Sequence, residues 1–168
     1  VRALAFGTTS DGRPLLASGG DDTRILLWDP DTGSRLPDPA ARHTRPVLAL
    51  AIGRVSDGRT ILASAGGPRI VVHEVDSSES AEMTLSGHTA KVRSLAFGEH
   101  VDGRMTLISA GDDNTARVWD PDPRVNSDQP KPLLATHGVA PSKPAAVCAD
   151  PQVLIIGCSD GIISLRNS

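Results

Sequence analysis

The six residues Val1-Arg2-Ala3-Leu4-Ala5-Phe6 return as Val47-Leu48-Ala49-Leu50-Ala51-Ile52 and again as Val92-Arg93-Ser94-Leu95-Ala96-Phe97, at offsets of 46 and 45 residues. A degenerate fourth copy begins near Ala146-Val147-Cys148-Ala149. A fixed period of this length constrains the chain more than any other feature. Each copy is one supersecondary unit that cannot bury its apolar faces alone, so the units must stack on one another. The repeats are placed at residues 1–46, 47–91, 92–143 and 144–168.

Within each repeat the pattern reads as short strands joined by tight turns. Repeat 1 predicts strands over residues 1–6, 15–19 and 24–28, with a weak outer strand near 34–36. Repeat 2 predicts 47–53, 61–65 and 70–75, with an outer strand near 82–85. Repeat 3 predicts 92–98, 105–110 and 115–119, with an outer strand near 133–135. Repeat 4 predicts 146–149, 153–157 and 162–165. The first turn of the first three repeats carries the same triplet: Asp11-Gly12-Arg13, Asp57-Gly58-Arg59 and Asp102-Gly103-Arg104. Asp-Gly is a strong hairpin signal because glycine takes a positive φ without a Cβ penalty. Runs such as Ile25-Leu26-Leu27 and Ile70-Val71-Val72 are apolar on consecutive residues, so those strands expect cover on both faces. No segment carries a helical apolar period.

Composition agrees. Glycine (16) and proline (13) are frequent in the 168 residues, as many turns require. The only aromatic rings of the Phe, Trp and Tyr types are Phe6, Trp28, Phe97 and Trp119, so Val, Leu, Ile and Ala must build the core. The formal net charge of −3 speaks against nucleic acid and anionic membranes as partners. No apolar run reaches the length of a membrane helix. The two cysteines, Cys148 and Cys158, form neither a disulfide framework nor a zinc pattern. They read as buried reduced thiols, and a cytoplasmic location is the expectation. The start at Val1 rather than a methionine reads as a piece of a longer protein.

The most regular copy opens on Gly87-His88 and closes on Trp119-Asp120. Between them lie Ser109 on the second strand, Asp113 in the following turn and Trp119 on the third strand. This pattern resembles the WD40-repeat β-propeller family over nearly the whole chain, as three repeats and most of a fourth. The resemblance implies an all-β fold of four-stranded antiparallel blades in an incomplete ring. It further implies that His88, Ser109, Asp113 and Trp119 form a buried hydrogen-bonded chain. Repeat 1 offers Ser18, Asp22 and Trp28. Repeat 2 offers His43 and Ser64, with Gly67 at the place of the Asp and His73 at that of the Trp. Repeat 4 offers His137 and Asp160, with Ile156 and Arg166 at the Ser and Trp places. The Arg-, Ala- and Gly-rich style resembles actinobacterial repeats.

The Ser109, His88 and Asp113 types are also those of a hydrolase triad. No G-x-S-x-G elbow accompanies them, and the chain of residues ends on a tryptophan, which favours the structural role. The acidic pairs Asp21-Asp22 and Asp112-Asp113 stand in turns that use Asp for local hydrogen bonds. The stretch Asp29-Pro30-Asp31-Thr32-Gly33 lacks the later ligands of a calcium loop. The expectation is no metal, no cofactor and no enzyme. The recurrent Asp-Gly-Arg arginines read as a solvated rim. Loops 40–46, 86–91 and 137–144 are expected on one rim with turns 20–23, 66–69 and 111–114. Candidate contact residues there are Arg45, Arg69, Lys91 and Asp112. The resemblance implies a protein–protein interaction scaffold that binds a protein or peptide and completes its ring by self-association or within a longer chain. The alternatives are a regulatory propeller tail on a multidomain bacterial NTPase, kinase or protease, and, more remotely, a hydrolase using Ser109 and His88.

Overall fold

A computed structural model of the chain describes residues 1–37, 43–75, 82–99 and 104–122 in full, together with the backbone of four further strands. Those strands are β11 (Leu133–Gly138), β12 (Pro144–Asp150), β13 (Val153–Cys158) and β14 (Gly161–Arg166). The fully described part holds β1 (Ala3–Thr8), β2 (Pro14–Gly19), β3 (Ile25–Trp28), β4 (Ala49–Arg54), β5 (Thr60–Gly66), β6 (Arg69–Glu74), β7 (Glu82–Leu85), β8 (Val92–Glu99), β9 (Met105–Gly111) and β10 (Thr115–Trp119). No helix occurs among the described residues, and so none is long and apolar enough to cross a membrane.

The strands form four antiparallel meanders in chain order: β1-β2-β3, β4-β5-β6-β7, β8-β9-β10-β11 and β12-β13-β14. Consecutive sheets stack through their first strands, β1 beside β4, β4 beside β8 and β8 beside β12. Among the described strands the ring is not closed. The outer strand expected near 34–36 is reduced to a single bridge between Trp28 and Arg35, with Leu36 N–H bonded to the Leu27 carbonyl. Pro37 follows directly and cannot extend a ladder. The outer strand expected at 133–135 is longer than the apolar pattern suggested and runs to Gly138.

Two cores lie between sheets, and the alternation of each strand decides which core a side chain enters. Leu50, Leu62 and Val71 of the second sheet meet Leu15, Ala17, Ile25 and Leu27 of the first. The intervening Ala49, Ala51, Ile61, Ala63, Ile70 and Val72 meet Val92, Leu95, Leu107 and Trp119 of the third. Every residue of β5 is buried, as expected for a strand covered on both faces. The first strand of the second sheet, β4, carries Leu50 and Ile52 toward the sheet before and Ala49 and Ala51 toward the sheet after. A single length of chain thereby supplies both halves of the interlocking contact.

The Asp-Gly turns form as expected, with φ of +85° at Gly12 and +89° at Gly58. Gly12 N–H bonds the Thr9 carbonyl and Gly58 N–H the Val55 carbonyl. Their arginines do not form a uniform solvated rim. Arg13 is exposed and pairs with Asp11 at 2.8 Å. Arg59 is largely enclosed, and three carboxylates surround it: Asp57 at 2.7 Å, Asp122 at 3.1 Å and Glu74 at 3.4 Å. It therefore ties the second sheet to the segment leaving β10, an arrangement that no periodicity signals. The Asp102-Gly103-Arg104 turn lies outside the described residues except for Arg104.

Candidate functional site: a buried relay and a charged rim

In the third sheet the relay is complete. Trp119 Nε1–H donates to Ser109 Oγ at 2.8 Å, and Ser109 Oγ lies 2.7 Å from His88 Nε2. His88 Nδ1 lies 2.8 Å from Asp113 Oδ2. One tautomer satisfies every atom: Nδ1–H faces the carboxylate, Nε2 accepts from the serine hydroxyl, and that hydroxyl accepts from the indole. Asp113 also accepts from Thr89 N–H at 3.0 Å and from Thr115 Oγ1 at 2.8 Å. Burial lowers the His88 pKa, outweighing the opposing pull of Asp113, so the ring stays neutral. Burial pushes Asp113 upward, but the Thr89, Thr115 and His88 hydrogen bonds outweigh it and hold the carboxyl below its ordinary value. Ser109 has no exposed surface. A serine–histidine–aspartate relay is thus present in geometry, with its hydroxyl enclosed and already engaged by an indole.

The other sheets carry less of it. In the first, Trp28 Nε1–H donates to Ser18 Oγ at 2.9 Å, while among the described residues Asp22 accepts a long bond from Arg24 N–H at 3.4 Å. In the second, His43 Nε2 lies 2.9 Å from Ser64 Oγ, and Ser64 Oγ–H reaches the Val71 carbonyl at 3.3 Å. No carboxylate follows, because the turn between β5 and β6 is one residue shorter than its counterparts. Four residues separate Ala65 from its partner Ile70, against five between Ala110 and Ala116. His73, at the tryptophan position, is buried with neither nitrogen partnered. The side chains of His137, Ile156, Asp160 and Arg166, and those of Cys148 and Cys158, lie outside the described residues.

At the rim, the residues leading into β4 and β8 cross onto the sheet before them. Val47 N–H bonds the Gly20 carbonyl and Val92 N–H bonds the Gly67 carbonyl, both at 2.9 Å. The expected loop residue Arg45 lies against Gly66 and Gly67 in the turn after β5, and Lys91 lines the same place. Between them lies a cavity of about 330 Å³ whose charged lining is Arg2, Asp21, Arg45, Lys91 and Arg93. Asp112 flanks it through Arg93, at 2.6 Å. Arg69 is exposed and does not line the cavity. Arg2, Asp21 and Arg93 were not singled out from sequence as contact residues, although their spacing one residue after Val1 and Val92, and one after Gly20, carries the signal. A second cavity, of about 320 Å³, opens beside Ser18, Asp22 and Leu26 on the outer face of the first sheet.

Among the described residues no cluster of three or more His, Cys, Asp or Glu side chains could hold a metal ion. Asp29 instead accepts from Asp31 N–H at 2.9 Å and Thr32 N–H at 3.3 Å, which makes it a turn residue.

Residues 1–29 and 80–120 match the family model described as WD domain, G-beta repeat. No curated protein matches the chain. Among solved structures, the computationally designed Ika4 protein superposes with a TM-score of 0.72 at 24% identity, over 99% of this chain and 91% of that one. The computationally designed Ika8 protein gives 0.71 at 24% identity, over 99% of this chain and 45% of that one. The RRP9 WD40 repeats give 0.67 at 24% identity, over 93% of this chain and 44% of that one. The chain spans nine tenths of the first and less than half of the other two, and at these identities the likeness is one of fold.

Proposed function

We propose that this chain is a WD40-repeat β-propeller and that it serves as a non-catalytic scaffold that binds a protein or peptide at the rim of its blades. WD40 repeats are protein-interaction scaffolds in general, and the finer assignment rests on one observation. Its polar groups divide by place. The relay residues face inward and engage one another, whereas loop and turn residues from three consecutive blades converge on one charged cavity at the rim. The inward set holds the blade rigid. The outward set is placed by backbone bonds between blades, so a ligand there meets a preformed surface.

The test is direct binding of a peptide array to the purified chain, followed by substitution in the rim and, separately, in the relay. Rim changes are expected to abolish binding with the melting temperature unchanged. A set of rim substitutions that leaves every interaction intact would overturn the assignment.

The relay distances keep a hydrolase reading in view. Against it stands the enclosure of Ser109 and the indole that occupies its oxygen. Ser109→Ala is expected to lower stability and to leave turnover of p-nitrophenyl esters at the background rate. A folded wild type that hydrolyses such esters, and a folded Ser109→Ala that does not, would restore the catalytic reading.

A further inference from the structure

We propose that the rim cavity between the first three blades is an anion site, and that its ligand is an acidic or phosphorylated side chain of a bound peptide. This deepens the scaffold assignment and rests on it.

Equivalent positions in the three blades explain the charge. In the first blade Arg2 is neutralised by Asp21, with Arg2 Nε 2.9 Å from Oδ2. In the third, Arg93 is neutralised in the same way by Asp112, at 2.6 Å. In the second, Leu48 stands at the arginine's place, and the turn after β5 is one residue shorter, so that Gly67 alone stands for both aspartates of the longer turns and offers no carboxylate. The cations do not disappear with their partner. The stem of Arg45 lies across Gly67, where an added Cβ would stand 2.7 Å from Arg45 Cδ. Lys91 lines the same cavity, and the bond from the adjacent Val92 N–H to the Gly67 carbonyl holds it beside that turn.

Neither the Arg45 guanidinium nor the Lys91 ammonium has an ion-pair or hydrogen-bond partner among the described residues. Two uncompensated cations therefore flank one pocket on a chain whose net charge is −3. A local field of this sign draws anions although the whole molecule repels them. Pro46 and Leu48 give the pocket an apolar wall. At about 330 Å³ it matches the small end of ligand pockets and admits a side chain rather than a duplex. A carboxylate or phosphate between Arg45 and Lys91 would gain charge-assisted hydrogen bonds from both, with the neighbouring peptide residue against Leu48.

The experiment uses a cellulose-bound array in which each peptide occurs with glutamate, phosphoserine or glutamine at the central position. A 20-base-pair DNA duplex is tested beside it. Peptides with an anionic centre are expected to be retained, and their glutamine counterparts released. A soluble copy of the best binder is expected to lose affinity at least tenfold in Arg45→Met/Lys91→Met, which keeps both stems and removes both charges. It is expected to bind Arg69→Met as it binds the wild type. Preference for phosphoserine over glutamate, or the reverse, identifies which anion the site takes.

Peptide binding that ignores the central charge, or that survives Arg45→Met/Lys91→Met, overturns the anion site and leaves the scaffold assignment standing. Retention of no peptide at all overturns both. Binding of the duplex alone, lost in the double variant, replaces the peptide ligand with nucleic acid and likewise overturns the proposal. Because Arg45 and Lys91 are exposed, an unchanged melting temperature separates each of these outcomes from unfolding.

Discussion

The ring of Phe97, on the first strand of the third blade, lies on the bare backbone of Gly53 in the second: a Cβ there would stand 2.7 Å from Phe97 Cδ2. Ile52 stands over Gly7 in the same way one blade earlier. These contacts fix the distance between blades. Gly53→Ala is therefore expected to cost about 1–3 kcal/mol, because a packed aromatic ring must shift to admit the methyl group. Urea denaturation of the variant beside the wild type measures it, and an unchanged midpoint would mean that the blades are not in this register.

Stability is expected to fall with the completeness of the polar relay. Ser109→Ala strands the Trp119 indole N–H and the His88 Nε2 in a dry interior, a loss of about 1–3 kcal/mol. Ser18→Ala removes one hydrogen bond beside a half-exposed Trp28 and is expected to cost less, about 0.5–1 kcal/mol. Thermal melts of the two variants check the order, and a larger loss at Ser18 would contradict it.

His73 makes the fold sensitive to acid. Burial first, and the neighbouring His43 second, hold its pKa down from 6.5 to about 4. The unfolded chain thus takes a proton that the folded chain refuses. The contribution of neutral His73 is complete above pH 6.5 and is lost as pH falls toward 4. Over that span it amounts to about 3 kcal/mol, at 1.36 kcal/mol per pH unit. His43, also lowered by burial, adds in the same direction. His73→Leu is expected to raise stability at pH 7 and to flatten the acid slope, seen as urea midpoints at pH 7.5 and pH 5 drawing together.

Thr23 has a φ of +66° in the turn after β2, whereas the equivalent Asn114, at +59°, is a residue type that tolerates this region. Thr23→Asn is expected to stabilise the chain by about 1 kcal/mol by relieving that strain. Differential scanning calorimetry of the single variant reads the gain.

The outer face of β1 is the counterpart of the two packed faces. Leu4 and Phe6 are 59% and 68% exposed, although Leu50 and Leu95 at the position of Leu4 are buried. Apolar surface of this kind promotes association. Leu4→Ser/Phe6→Ser is expected to lower the mass observed by light scattering at high concentration while shifting the melting temperature little. Equal masses for the two proteins would show that this face takes no part in association.

The sequence by itself determined the repeat, the strands and the turn chemistry. A 45-residue period, apolar runs too short for helices and Asp-Gly at fixed places leave few folds open, since each unit must cover its neighbour. The relay of Ser109, His88, Asp113 and Trp119 was expected through the resemblance to a known repeat family, which those residues carry within one unit. What depends on distance between units was not legible. Arg59 read as a rim residue until the fold brought Asp122, sixty-three positions away, against it. Arg45 and Lys91 were expected on one rim together with Arg69 and Asp112, but that these two share a cavity that Arg69 does not line became visible only in the fold. Periodicity records what each blade requires for itself, whereas the charge of a site depends on which blades meet, and only the stacking of sheets decides that.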